Sequence, residues 1–181
     1  SIINGESETG ITVMMTSIGV DEGDIILQEK LPISPNETAG ELFDRLAILG
    51  AETIVKAVKL FEENKVVLVP QDHDKATFTK MLSKDIAKID FTKTKKEIVD
   101  FVRGLNPWPV AFTDILGEPI KIYKLAPLDA ENKSAGEIVS IDNKNGFVIS
   151  CADGAVKVLE LQRQGGKRMN SEDFLRGYKK N

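Results

Sequence analysis

The chain has 181 residues, 41% of them hydrophobic and 29% charged, with a formal net charge of −4, one cysteine and one histidine. That fits one or two small domains of ordinary globular composition. A lone cysteine excludes an internal disulfide framework, and one His with one Cys argues against a structural zinc site.

No apolar run approaches the ~20 residues of a membrane span. The opening "SIINGESETG" has neither the basic nor the apolar region of a secretory signal. A reduced cytoplasmic setting is expected. The charge is uneven: residues 1–89 carry nine Lys/Arg against fifteen Asp/Glu, and residues 90–181 carry fifteen against thirteen. An acidic front and a mildly basic back suggest two units with different partners.

In chain order, Ile11–Ser17 and Asp24–Ile33 read as strands. Between them sits Gly19-Val20-Asp21-Glu22-Gly23-Asp24, three carboxylates with two glycines. Asp and Gly are ordinary turn residues. A carboxylate at a strand end, beside glycines that admit a ligand to the backbone, also suits a general base. The residues alone leave both readings open.

A long amphipathic helix follows, with Leu42, Leu46, Leu49, Ile54, Val58 and Phe61 at near-helical spacing and Thr38 and Glu41 placed as a capping box. Two strands and a helix bury that stripe poorly, so the first ~65 residues read as the tail of a larger α/β domain. Residues 65–89 are mixed in character and read as a linker; His73 lies there, in a polar setting.

A short helix is expected after Thr94, with Glu97 completing a capping box, Ile98, Phe101 and Val102 facing inward and Gly104 stopping it. Asn106-Pro107-Trp108-Pro109 predicts a rigid corner with a buried Trp. Five period-two runs then follow: "VAFTDI", "PIKIYKLA", "AGEIVSID", "GFVISCA" and "AVKVLELQ". Their spacing and turn signals suggest a small OB-like β-barrel. The expected fold class is thus α/β plus all-β, with residues 1–64, 65–89 and 90–181 as the tail of an α/β domain, linker and OB-like barrel.

The motifs "INGESETGITVM", "GVDEGDII", "TAGELFDRLAILGAE", "MLSKDIAKIDFTKTKKEI", "RGLNPWPVAF", "PIKIYKL", "AGEIV" and "DGAVKVLELQRQGGKRMNSEDFLRG" occur in this order. On them the chain resembles the C-terminal part of the methionyl-tRNA formyltransferase family. The resemblance implies the tail of a Rossmann-like catalytic domain and a C-terminal tRNA-binding domain. It implies formyl transfer from 10-formyltetrahydrofolate to the amino group of initiator methionyl-tRNA, without a metal, by a protein monomeric at full length.

By match, Asp21 is catalytic, and the backbone of Ile18, Gly19, Val20 and Asp21 holds the pterin. The family's Asn and His lie upstream of the residues present here, and His73 does not match them. The 181 residues by themselves are therefore expected to be inactive. Basic segments and charge nominate Lys95, Lys96, Lys167, Arg168, Arg176 and Lys179 for tRNA. Two alternatives stand beside this: a formyltransferase acting on a small amine or nucleotide sugar, and a non-catalytic OB-type RNA-binding module.

Overall fold

A computed structural model describes residues 1–130, 133–142 and 146–177. The chain divides into two compact units: a smaller one of Ser7–Pro35 and Gly40–Met81, and a larger one of Ser1–Glu6, Asn36–Ala39 and the chain from Leu82 onward. Among the described residues no helix is long and apolar enough to cross a membrane.

In the smaller unit, β1 (Glu8–Met14) and β2 (Ile25–Pro32) pair antiparallel, Glu8 opposite Pro32 and Met14 opposite Ile25, with an irregularity at Val13/Met14. β1 thus begins and ends three residues earlier than the apolar pattern suggests. Met15–Ser17 leave the ladder to build the loop.

Helix α1 (Ala39–Glu62) starts just after Thr38. It lies against the hairpin near Gly50, where an added Cβ would touch the Ile11 side chain at 3.7 Å. Lys56 adds an ion pair to Glu29 at 2.8 Å. The face it buries differs from the expected one. Leu42, Thr53 and Ala57 are buried, with Leu46 and Leu49 half-buried, whereas Ile54, Val58 and Phe61 are exposed. A two-stranded hairpin covers only a narrow stripe, so the stripe closest to a strict heptad wins.

In the larger unit, α2 (Lys95–Gly104) carries the expected capping box. The Thr94 hydroxyl accepts from the Glu97 N–H at 3.3 Å, and Glu97 accepts from the Thr94 N–H at 2.9 Å. Ile98 and Val102 are buried and Phe101 packs beside them. Gly104 is needed for a reason other than helix termination. The backbone at Leu105 keeps a negative φ, while a Cβ on Gly104 would sit 2.5 Å from Ile3 Cγ1. Asp100, almost buried, is met by Arg103 at 2.7 Å and Lys96 at 2.6 Å, and Arg103 also donates to the Glu37 carbonyl at 2.9 Å.

The five expected strands are present: β3 (Ala111–Ile115), β4 (Glu118–Leu128), β5 (Ile138–Asp142), β6 (Gly146–Cys151) and β7 (Gly154–Arg163). The tail, read only as basic, adds β8 (Met169–Asn170) and α3 (Ser171–Gly177). The sheet order is β3-β4-β7-β6-β5, all antiparallel, with β8 on β7. Among the described residues the strand path runs from β3 to β5 with no pairing that joins those two ends; an OB-like barrel was expected, and OB-type barrels are partly open.

Leu116 and Gly117, at φ of 55° and 82°, make the β3–β4 turn. Phe147, Ile115, Ile120, Ile122, Val156, Val158 and Leu161 form the core with α2 on one side. Phe174 of α3 meets Phe147 with ring centroids 5.9 Å apart.

Replacing Thr94 by Ala should lower stability by about 1 kcal/mol, seen as a lower urea midpoint at unchanged slope. The Thr94 hydroxyl, and then its N–H, hold the Glu97 carboxyl below its usual pKa. That contribution is complete above the unfolded-state pKa and is lost as pH falls through the lower folded value. The gap between wild type and Thr94→Ala should therefore narrow on acidification.

Candidate functional site

The β1–β2 loop is closed at its base by the Met15 N–H donating to the Asp24 carbonyl at 2.9 Å. Gly23 is buried there, and a Cβ on it would lie 1.7 Å from the Met15 carbonyl oxygen. No side chain fits that approach. Asp21 adopts φ 59°, in the left-handed region that Asp tolerates better than bulky residues.

At the tip, Ile18 and Val20 are 108% and 87% exposed, so two apolar side chains stand in solvent beside an exposed Asp21. Ser17 donates to the Gly19 carbonyl at 3.0 Å. The loop is therefore pinned at its base and open at its tip, with Asp21 and Glu22 both exposed.

Sequence reasoning missed what holds it. The Gln71 side chain donates to the Asp21 carbonyl at 2.9 Å and to the Gly23 carbonyl at 2.7 Å. Val69 delivers Gln71 by exchanging two backbone hydrogen bonds with Ile25, at 2.8 and 3.0 Å. A glutamine in a polar connector carries no local signal of this role.

Other nucleophiles and metal ligands do not compete. Cys151 is buried, and burial pushes its thiol above the ordinary value. His73 sits in an exposed one-turn helix, His73–Lys75. Among the described residues no three His, Cys, Asp or Glu side chains cluster as metal ligands.

In the larger unit the basic candidates separate. Lys95 pairs with Asp129, which raises its pKa mainly through that hydrogen bond, and Lys96 pairs with Asp100. Lys95 Nζ would lie 3.7 Å from a Cβ at Gly154, the start of β7. Arg168 lies at the other end of that strand. It is ion-paired to Glu160, with its guanidinium 4.5 Å from the Tyr123 ring centroid. The six residues of strand from Gly154 to Glu160, at ~3.3 Å each, put these clusters about 20 Å apart. Arg176 pairs with Asp173, and Lys179 lies outside the described residues.

Lys167 has no ion pair among the described residues, and neither have Lys84, Lys121 and Lys124, which the sequence reading did not single out. Lys84 and Lys121 line a cavity of about 420 Å³ with Pro109, Phe112, Arg163 and Gln164. Trp108, expected to be buried, is 55% exposed beside that cavity-lining Pro109. The buried members of the corner are Asn106, whose amide donates to the Tyr123 carbonyl at 3.1 Å, and Pro109. Both X-Pro bonds of the corner, Asn106–Pro107 and Trp108–Pro109, are cis.

Residues 81–179 match the family described as "Formyl transferase, C-terminal domain", and residues 1–58 match "Formyl transferase". The chain belongs to the formyl transferase family. It is similar to the methionyl-tRNA formyltransferase of Acetivibrio thermocellus, 41% identical over 181 residues, covering 99% of this chain and 58% of that protein. The chain thus spans a little over half the length of that curated relative.

Among solved structures it is similar to an N-formyltransferase from Helicobacter canadensis in complex with folinic acid and dTDP-3-aminofucose. There the identity is 26%, the TM-score 0.67, and coverage 87% of this chain and 57% of that one. HypX from Aquifex aeolicus in complex with tetrahydrofolic acid shares the fold at 20% identity and TM-score 0.68, covering 99% of this chain and 33% of that one.

Substituting Gly23 by Ala should open the loop base of this formyl transferase. The Met15 amide should exchange with deuterium at least tenfold faster, equivalent to about 1.4 kcal/mol, while amides of the larger unit are unchanged.

Proposed function

We propose that this chain is the tRNA-binding and loop-bearing part of an enzyme that moves a formyl group from 10-formyltetrahydrofolate to initiator methionyl-tRNA. The observation that carries the reading is the 41% identity over 99% of the chain to a protein of that name. It spans both the Asp21 loop and the β unit. In this reading residues 1–64 end the catalytic domain, 65–89 link, and 90–181 hold tRNA.

The methionyl amine attacks the formyl carbon, a C–N bond forms, and the bond from formyl carbon to folate N10 breaks. The proton lost by the amine ends on the departing nitrogen. Asp21 accepts that proton or stabilises the protonated histidine that the family resemblance implies. The exposed backbone from Ile18 to Asp21 offers hydrogen bonds to the pterin edge, and the folate ligands in the two structural relatives support that role. Oxyanion donors come from the upstream Asn and His of the resemblance.

In the full-length enzyme, Asp21→Asn should cut kcat by more than tenfold, a barrier increase above about 1.4 kcal/mol, with the melting temperature preserved. Retention of more than a tenth of wild-type turnover would return Asp21 to the role of a turn residue. The 181-residue chain alone should formylate nothing, since its only histidine is His73, on an exposed turn.

The nucleotide-sugar ligand of the Helicobacter canadensis relative supports a second reading, N-formylation of a sugar amine. Binding of tRNA by this chain decides between them. If about four phosphates are neutralised, log K should fall with log salt at a slope near −3 to −4. Lys121→Ala, Lys124→Ala and Lys167→Ala together should flatten the slope by about 2–3 and weaken different tRNAs alike. Absence of binding at low salt would favour the sugar substrate.

A further inference from the structure

We infer that Gln71 is a positioning residue for formyl transfer, fixing the backbone of Asp21 from the connector that follows α1. The proposal deepens the reading of Asp21 as the group that handles the amine proton, and rests on it.

The geometry is specific. One carboxamide nitrogen has two hydrogens, and it faces two carbonyl oxygens, Asp21 O at 2.9 Å and Gly23 O at 2.7 Å. Turning the amide end for end would set its oxygen against both carbonyls, so only one orientation is compatible with the loop. Met14 Sδ at 3.6 Å is the third contact of the same nitrogen.

The two carbonyls belong to residues that flank Glu22, one of them the left-handed Asp21 and the other the buried Gly23. Between the base bond at Met15 and Asp24 and the loop tip, the only other hydrogen bond among the described residues is local, from Ser17 to Gly19. Gln71 is therefore what ties the Asp21 end of the loop to the rest of the smaller unit.

Gln71 is itself held. Val69 bridges to Ile25 through both backbone groups, and Pro70 restricts φ between that bridge and Gln71. An active-site group displaced by about 1 Å can lose on the order of a hundredfold in rate. A clamp on the backbone of the carboxylate-bearing residue controls that kind of displacement without touching substrate.

The test uses the full-length enzyme. Gln71→Met keeps the length and removes both N–H donors; Gln71→Lys restores donors to the two carbonyls. Gln71→Met should lower kcat at least tenfold with KM for methionyl-tRNA within about twofold, and Gln71→Lys should recover most of the loss. In an Asp21→Asn background, Gln71→Met should change kcat less than twofold, because the group it positions is already disabled. Equal effects in both backgrounds, or a Gln71→Met enzyme within threefold of wild type, would overturn the proposal.

Should Asp21→Asn alone retain wild-type turnover, the catalytic reading fails separately. The clamp is then decided by amide exchange in the 181-residue chain. Gln71→Met should speed exchange of the Met15 amide at least tenfold, and unchanged exchange would remove the clamp as well.

Discussion

The β4–β7 ladder is the constraint on which the larger unit depends. It runs from Ile120 opposite Arg163 to Leu128 opposite Ala155, with β6, β8, α2 and α3 all in contact with β7. Val156, Val158 and Leu161 of β7 are fully buried, so the strand cannot slip by one residue without turning its core face outward. That fixed register decides which functional groups meet. Tyr123 on β4 stacks under Arg168 and donates to Gln162 at 2.7 Å, while the Gln162 amide donates to the Gly166 carbonyl at 2.9 Å. The basic turn after β7 is thereby folded back over the sheet.

Charge on this unit is mostly spent internally. Arg163 forks onto Glu118 at 2.5 Å, Lys88 reaches Asp114 at 3.0 Å, and Arg168 and Arg176 have carboxylate partners. Exposed pairs of this kind contribute about 0–1 kcal/mol to stability. Lys84 and Lys121 bring positive charge, unpaired among the described residues, to the groove lined by Pro109 and Phe112, beside the exposed Trp108, although the net charge of residues 90–181 is only slightly positive.

The smaller unit solves a different problem. Its loop has to expose Asp21 and still keep one shape. Exposure removes packing as a means of holding it, since Ile18 and Val20 at the tip bury little. Order comes instead from backbone: a glycine pressed against the Met15 carbonyl, a left-handed Asp21, and a glutamine from 50 residues further along the chain. Backbone held this way keeps one loop shape without buried side chains.

Local pattern determined much of this protein. The period-two runs after Val110 became β3 to β7, because alternation registers directly on a pleated sheet. Thr94 and Glu97 cap α2 as their spacing requires, since a capping box is closed within four residues. The Asp21 loop was visible as an acidic, glycine-bearing turn, and the family resemblance followed from motifs in order.

Tertiary structure decided the rest. Which stripe of α1 is buried depended on the width of the hairpin beneath it, which left Ile54, Val58 and Phe61 exposed. Trp108 faces solvent while Asn106 and Pro109 take the inward positions of the corner. Lysine composition cannot distinguish Lys121 from Lys95; only the placement of Asp129 does. Gln71 is silent in the sequence for the same reason. Its two acceptors are backbone carbonyls about 50 residues away, and a backbone acceptor carries no side-chain identity by which a sequence could announce it.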